Sequence, residues 1–397
     1  MTVQRQKLWV MIVIGVLVLS QAVLLFFAAP LFNAPGRTIG TNQNQAVTEV
    51  YIKARVIQII TDQETEASPS AEITIQRNFI QKIEVLFLEG SEKGQKKEIK
   101  NGPIPIAFEN KRYHEGDTVL VLKSSLANQS DSYLIFDKYR LDALWILAAL
   151  FALLTIVVIR FKGVLSLLAL AITIAIVSFF TVPQLLAGTN TLIVLIISAI
   201  FIGATSLYLA HGFSRRTSLA LLAIFIALLI SINLSVYFIQ FANLFGLGSE
   251  ESLYLQTGRF GNLNIRGLVL SGIVIASIGV LDDVASAQAA TVEELNRANP
   301  NLSVGQLYRR AMKVGGEHIA SMVNSLLLVF AGASLTLFIL QFASNQRPIS
   351  VTINTEMVSQ EIISSLIVSI GLILTVPITT YLMSVFSKKD LVLQKSK

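Results

Sequence analysis

The chain has 397 residues, a net charge of +6, 53% apolar and only 14% charged residues, and a mean hydropathy of +0.65. Soluble chains carry about a quarter charged residues, so these few, clumped charges exclude an ordinary water-soluble protein and point to a membrane. Without cysteine there is no disulfide framework, thiol nucleophile or Cys-ligated metal, and the basic balance reads as loops flanking membrane spans rather than as nucleic-acid binding.

In chain order, a short N-terminus (residues 1–7, with Arg5 and Lys7) precedes the first apolar run, Leu8–Ala29. Its length suits a spanning helix better than a signal-peptide core of about 7–15 residues, although small residues near Ala28, Ala29 and Ala34 keep cleavage open.

Residues 30–140 change character and are expected to form a β-rich domain behind a Ser/Gln/Asn-rich tether. Strands are expected at Tyr51–Ile60, Glu72–Gln76, Lys82–Leu88, Pro103–Phe108, Thr118–Leu122 and Tyr133–Phe136. Glu89-Gly90, Asn101-Gly102 and Gly116-Asp117 are read as turns. The unbroken run Val119-Leu120-Val121-Leu122 predicts a strand buried on both faces. His114 beside Glu115 invites a metal or acid–base reading. A lone His next to a turn is ordinary surface, so a structural or partner-binding module is the expectation.

Seven further apolar runs follow in residues 141–386: Leu141–Ile159, Val164–Val182, Thr191–Ala210, Leu219–Phe241, Arg266–Leu281, Ile319–Phe342 and Ile362–Phe386. Each reaches or approaches the roughly 20 residues that cross the hydrocarbon. The expected fold is therefore an α-helical transmembrane bundle of about eight spans, with a small all-β extracytoplasmic domain between spans 1 and 2. Arg5/Lys7, Arg160/Lys162, Arg215/Arg216, Arg297 to Lys313, and the Lys residues of the 387–397 tail alternate onto one side. This predicts a bacterial cytoplasmic membrane protein with both termini inside and residues 30–140 outside.

Polar residues inside the spans carry the functional signal. The sixth span meets Asp282-Asp283 without a turn signal, and helix-compatible sequence continues to Asn299-Pro300. At helical spacing Asp282, Ser286, Ala289 and Glu293 form one stripe, and Asp283, Ala287, Ala290 and Glu294 the next. Gly267, Ser271, Gly272, Ala276 and Gly279 would let neighbouring helices approach closely. Ser303 to Gln306 has capping-box spacing and opens a short helix. Val304, Leu307, Tyr308, Ala311 and Met312 fall on one side of it and Arg309, Arg310 and Lys313 on the other, as in a helix lying along the membrane surface. Gly315-Gly316 is expected to turn the chain into the seventh span, which opens with Glu317-His318 and carries Ser321, Asn324 and Ser325, expected to point inward.

Asp282, Asp283, Glu317, His318 and Asn324 are thus the candidate site. Read functionally, they line a pathway between spans six and seven that binds a cation or relays protons. Read structurally, the acids sit at the interface, paired with Arg309, Arg310 or Lys313. Ser231, Asn233 and Ser235, and Thr205, Ser206 and His211, are read mainly as helix-packing or interfacial groups. No Walker A loop, HExxH, GxSxG or dinucleotide fingerprint occurs, so neither enzyme activity nor a cofactor is expected. The expected partners are the lipid bilayer, a small solute or ion, and an envelope component for the β-domain; the oligomeric state stays open.

The segment Gly279-Val280-Leu281-Asp282-Asp283-Val284-Ala285 through Thr291-Val292-Glu293-Glu294-Leu295 resembles the YibE/F family of bacterial membrane proteins. Gly315-Gly316, Asn324-Ser325-Leu326, Ala331 to Leu335, Asp137 to Arg140, and Pro183 to Gly188 extend the likeness. Where the family usually has one aspartate, this chain has Asp282-Asp283. The resemblance implies a multi-pass membrane protein and leaves its substrate open. A transporter or permease is the leading reading, with a non-transporting envelope protein as the alternative.

Overall fold

A computed structural model describes residues 47–66, 77–105, 112–126, 131–248, 252, 254–255, 264–343 and 348–395. The expected first span Leu8–Ala29, the tether before Val47 and the expected strand Glu72–Gln76 lie outside the described residues. The described residues divide into two compact units, one within residues 47–154 and the other within residues 155–395.

The first unit holds β1 (Val47–Glu66), β2 (Arg77–Phe87), β3 (Lys96–Pro105), β4 (Thr118–Leu126) and β5 (Ser132–Lys138). They form one antiparallel sheet in the order β3-β2-β1-β4-β5, with the long β1 central. The sheet curls into a half-barrel that brings β3 near β5. Strand side chains alternate between faces, so Ile52 and Val56 of β1 meet Ile83, Val85 and Phe87 of β2, Ile99 of β3, Val119 and Val121 of β4 and Ile135 of β5 in one core. Burying each such side chain contributes about 1.5–3 kcal/mol.

Two expectations fail here. Val119-Leu120-Val121-Leu122 is not buried on both faces: Val119 and Val121 are buried, while Leu120 and Leu122 are partly exposed on the other side. Asn101-Gly102 is not a turn but lies inside β3. Gly102 there adopts φ +108°, and a register shift between Phe79 and Gln81 on β2 accommodates the irregularity. His114 sits in a tight turn, its backbone N–H donating to Asp117 Oδ2 at 3.0 Å.

A partly buried ion cluster fixes the β2–β3 turn to β4 and β5. Glu92 Oε1 accepts from Lys123 Nζ (2.5 Å) and Tyr133 O–H (2.7 Å), and Lys123 also reaches Asp131 at 2.8 Å. Burial alone would raise the Glu92 carboxyl, but the hydrogen bonds from Lys123 and Tyr133 outweigh it and hold the group below its ordinary value. The Lys123 hydrogen bond lowers Asp131, and the bonds to Asp131 and Glu92 raise Lys123.

Helices α1 (Leu141–Ile159), α2 (Phe161–Leu186), α3 (Thr191–His211), α4 (Arg215–Phe241), α5 (Ile265–Ala298), α6 (Val304–Ala333) and α9 (Glu356–Lys395) are long and apolar enough to cross a membrane. The short α7 (Leu335–Ala343) and α8 (Ile349–Ile353) join the last two. α2 runs past the expected end through a wide π-helical turn at Val177–Thr181. Pro183 lacks an N–H, and Thr181 Oγ1 donates to the Ile176 carbonyl in that turn.

α4, α5 and α9 pack on one another to form the centre of the bundle, with α3 against α5 and the first half of α6 against α5 and α9. The backbones approach closely because the contacts are small: a Cβ on Gly371 of α9 would collide with Ser231 of α4. Ser231 and Ser235 donate back to the carbonyls of Ala227 and Ser231, so they are satisfied within α4. Pro377 lies inside α9 without ending it.

Candidate functional site

α5 runs unbroken from Ile265 to Ala298, capped by Asn264 and ended before Pro300, so Asp282 and Asp283 project from mid-helix. The stripe Asp282–Ser286–Glu293 finds a partner at each step on the α3–α4 hairpin. Ser206 of α3 donates to Asp282 Oδ2, Ser286 Oγ lies 2.8 Å from His211 Nε2, and Arg216 of α4 bonds Glu293 Oε2 at 2.9 Å. Local sequence explains the hairpin. Gly212 adopts φ +77° at the end of α3, and Ser214 caps α4 by accepting from the Thr217 N–H.

Asp282 is the exceptional member. It is half-buried, one oxygen takes the Ser206 hydroxyl, and the buried Oδ1 has no hydrogen-bond partner among the described residues. A carboxylate oxygen left without a donor in this way has the chemistry to accept a proton or a cation. Asp283 is exposed beside it, close enough to interact electrostatically with His211. Among the described residues no group of three or more His, Asp or Glu comes together to hold a metal ion.

The other three predicted site residues go elsewhere. Glu317, His318 and Asn324 are all exposed on α6, as are Ser321 and Ser325, which the sequence reading placed inward. The buried side of this half of α6 is built instead from Ile319, Met322, Val323 and Leu326. The structure therefore pairs Asp282 with α3, not with the α6 polar residues. No ion pair joins Asp282 or Asp283 to Arg309, Arg310 or Lys313 among the described residues.

The Gly315-Gly316 turn is also overturned: α6 is one helix from Val304 to Ala333, opened by the Ser303–Gln306 capping box. A Cβ on Gly315 would lie 2.5 Å from Val376 Cγ1 and 2.8 Å from Gln288 Oε1, whereas Gly316 faces open space. The glycine is there for close packing, and the apolar face expected to lie on the membrane surface packs partly on protein: Val304 is exposed, and Tyr308 and Met312 are partly buried. Leu307 and Ala311 are fully buried.

Gln288 is the group that sequence reasoning missed. It is buried on α5 and donates to the Ala311 carbonyl of α6 at 3.1 Å and to Thr380 Oγ1 of α9 at 2.7 Å, tying three helices together. A polar residue surrounded by Ala285, Ala289 and Val292 was the available signal.

The family described as YibE/F-like protein matches residues 147–389, well over half of the chain. The chain belongs to the YibE/F-like family. No curated protein and no solved structure matches it. For this YibE/F-like protein the match runs from within α1 to within α9, takes in the whole Asp282 seam, and includes none of the five strands. Membership therefore rests on the membrane-embedded bundle.

Proposed function

We propose that this YibE/F-like protein is a transporter or permease for a small ion or solute, with no enzymatic step, and that Asp282 is its proton- or cation-accepting group. The half-buried Asp282 carboxylate carries this reading: Ser206 donates to one of its oxygens and the other has no hydrogen-bond partner among the described residues. The seam beyond it, through Ser286/His211 to Arg216/Glu293, supplies further polar contacts along one helix face. The alternation of Lys and Arg supports a bacterial cytoplasmic membrane location, with Asp282 near the cytoplasmic end and the β-sheet unit outside.

Proteoliposomes loaded with a pH-sensitive dye and given a potassium diffusion potential test it. The intact protein should admit protons, and Asp282→Asn should slow the flux by about tenfold or more while inserting normally. An Asp282→Asn protein with full flux would falsify the assignment.

A second reading has its own observation. The β-sheet is a separate compact unit with its own core, as suits a partner-binding envelope module. Under that reading the helices anchor or signal, and no flux depends on Asp282.

A further inference from the structure

The sheet has a second face, away from its core, and that face is apolar where it nears α1. Tyr51 of β1, Leu122 of β4 and Leu134 of β5 lie in one cross-strand row. Tyr51, Leu134 and Phe136 are 47%, 54% and 58% exposed. The rings of Tyr51 and Phe136 meet edge-on, centroids 5.1 Å apart. A lone exposed leucine needs no explanation, but a contiguous aromatic and aliphatic patch marks a surface that contacts something.

The position of the patch is set by the chain. β5 ends at Lys138 and α1 begins at Leu141, so Phe136 stands five residues from an apolar helix, at most about 18 Å even if fully extended. The next row of the same face is tied down too. Lys53 pairs with Asp142 in the first turn of α1 at 3.2 Å and lies 3.8 Å from the centre of the Tyr139 ring. Beyond that turn α1 is almost entirely apolar and none of its residues is fully buried, with Leu144 and Trp145 exposed at its start. A tryptophan one turn inside such a helix is placed as in the aromatic belts at membrane–water boundaries. Exposed cations border the patch: Arg55, on the Lys53 face and without an ion pair among the described residues, and Arg140, paired with Asp137.

We propose that this face, through Tyr51, Leu134 and Phe136, seats in the headgroup layer of the bilayer that α1 enters, with Arg55 and Arg140 facing lipid phosphates. The proposal rests on α1 being a membrane span. A protein partner would also cover apolar surface. Lipid is the occupant favoured here because the short connector and the Lys53–Asp142 pair hold the patch at the mouth of α1, where the membrane surface begins.

The cysteine-free chain allows a direct test. Leu134→Cys and Phe136→Cys are spin-labelled singly in the full chain, reconstituted into phosphatidylcholine/phosphatidylglycerol vesicles, and probed with oxygen and a nickel chelate. Leu147→Cys on α1 and Lys93→Cys on an exposed turn serve as references. The labels at 134 and 136 should show a balance between oxygen and nickel accessibility intermediate between positions 147 and 93. A water-like pattern matching position 93 overturns the proposal. Low accessibility to both reagents overturns it in favour of a protein occupant. A water-like pattern at position 147 itself removes the span on which the proposal stands, which separates that failure from the others.

Discussion

Gln288 and Asp282 lie less than two turns apart on α5, yet they have opposite surroundings. Gln288 is buried and both of its N–H bonds find partners, on α6 and α9; Asp282 keeps one oxygen unpartnered among the described residues. The first is a packing bond, and the second is the group proposed above to accept a proton or a cation. Gln288→Leu should therefore destabilise the bundle by about 1–2 kcal/mol in a detergent thermal-unfolding assay, because the Ala311 carbonyl and Thr380 hydroxyl each lose a donor. Proton flux in surviving folded protein should be unchanged. Ser206→Ala should do the reverse, altering flux with little change in stability. In the β-sheet unit the Glu92–Lys123–Asp131 cluster predicts a pH dependence. The folded-state values of Glu92 and Asp131 are held below their ordinary 4.5 and 3.8. Their contribution is thus fully present above those values and is lost as the pH falls through the lowered ones. Lys123, raised above 10.5, contributes fully below that pH and loses its contribution only as the pH rises beyond it. Circular dichroism of the sheet should show a stability loss below about pH 4.5, and Glu92→Gln should flatten that limb.

At the level of elements, what the sequence revealed followed periodicity, and what it hid followed packing. The run Leu141–Ile159 is α1 to the residue, and the long helix through Asp282 ends where Pro300 requires. β3 was half-missed because Asn101-Gly102 reads locally as a turn. Pairing with β2, which buries Ile99 and Asn101, keeps it extended. The inward face of α6 was misjudged for a related reason: Ser321, Asn324 and Ser325 are polar, but which side of a helix is covered depends on neighbours that periodicity does not name. The glycine pair in α6 gives a sharp test. A hinge would resist substitution at either glycine. Packing predicts asymmetry: Gly315→Ala should cost about 1–3 kcal/mol by forcing Val376 and Gln288 aside. Gly316→Ala, in open space, should be neutral or stabilise by up to about 1 kcal/mol through helix propensity. Equal losses in a thermal-unfolding comparison would point to a hinge at the pair instead of packing.

At the scale of the whole molecule, two compact units raise the question of which one carries function. The family match spans the bundle and not the sheet, and the Asp282–Ser206 contact lies wholly within the bundle unit. If the bundle moves ions by itself, the sheet modulates or anchors and is dispensable for flux. Removing residues 40–138 takes out the sheet while leaving α1 and every helix that lines the Asp282 seam. The shortened protein should keep proton flux within about threefold of the intact chain, a change too small to represent loss of a relay group. Asp282→Asn introduced into it should remove that flux again. The double comparison matters because either variant alone is ambiguous. Flux lost on excision alone would move the activity to the sheet or to its contact with the membrane, and flux that survives both changes would mean that Asp282 is a structural acid. Only retained flux after excision, abolished by Asp282→Asn, places the pathway along the α3–α5 seam.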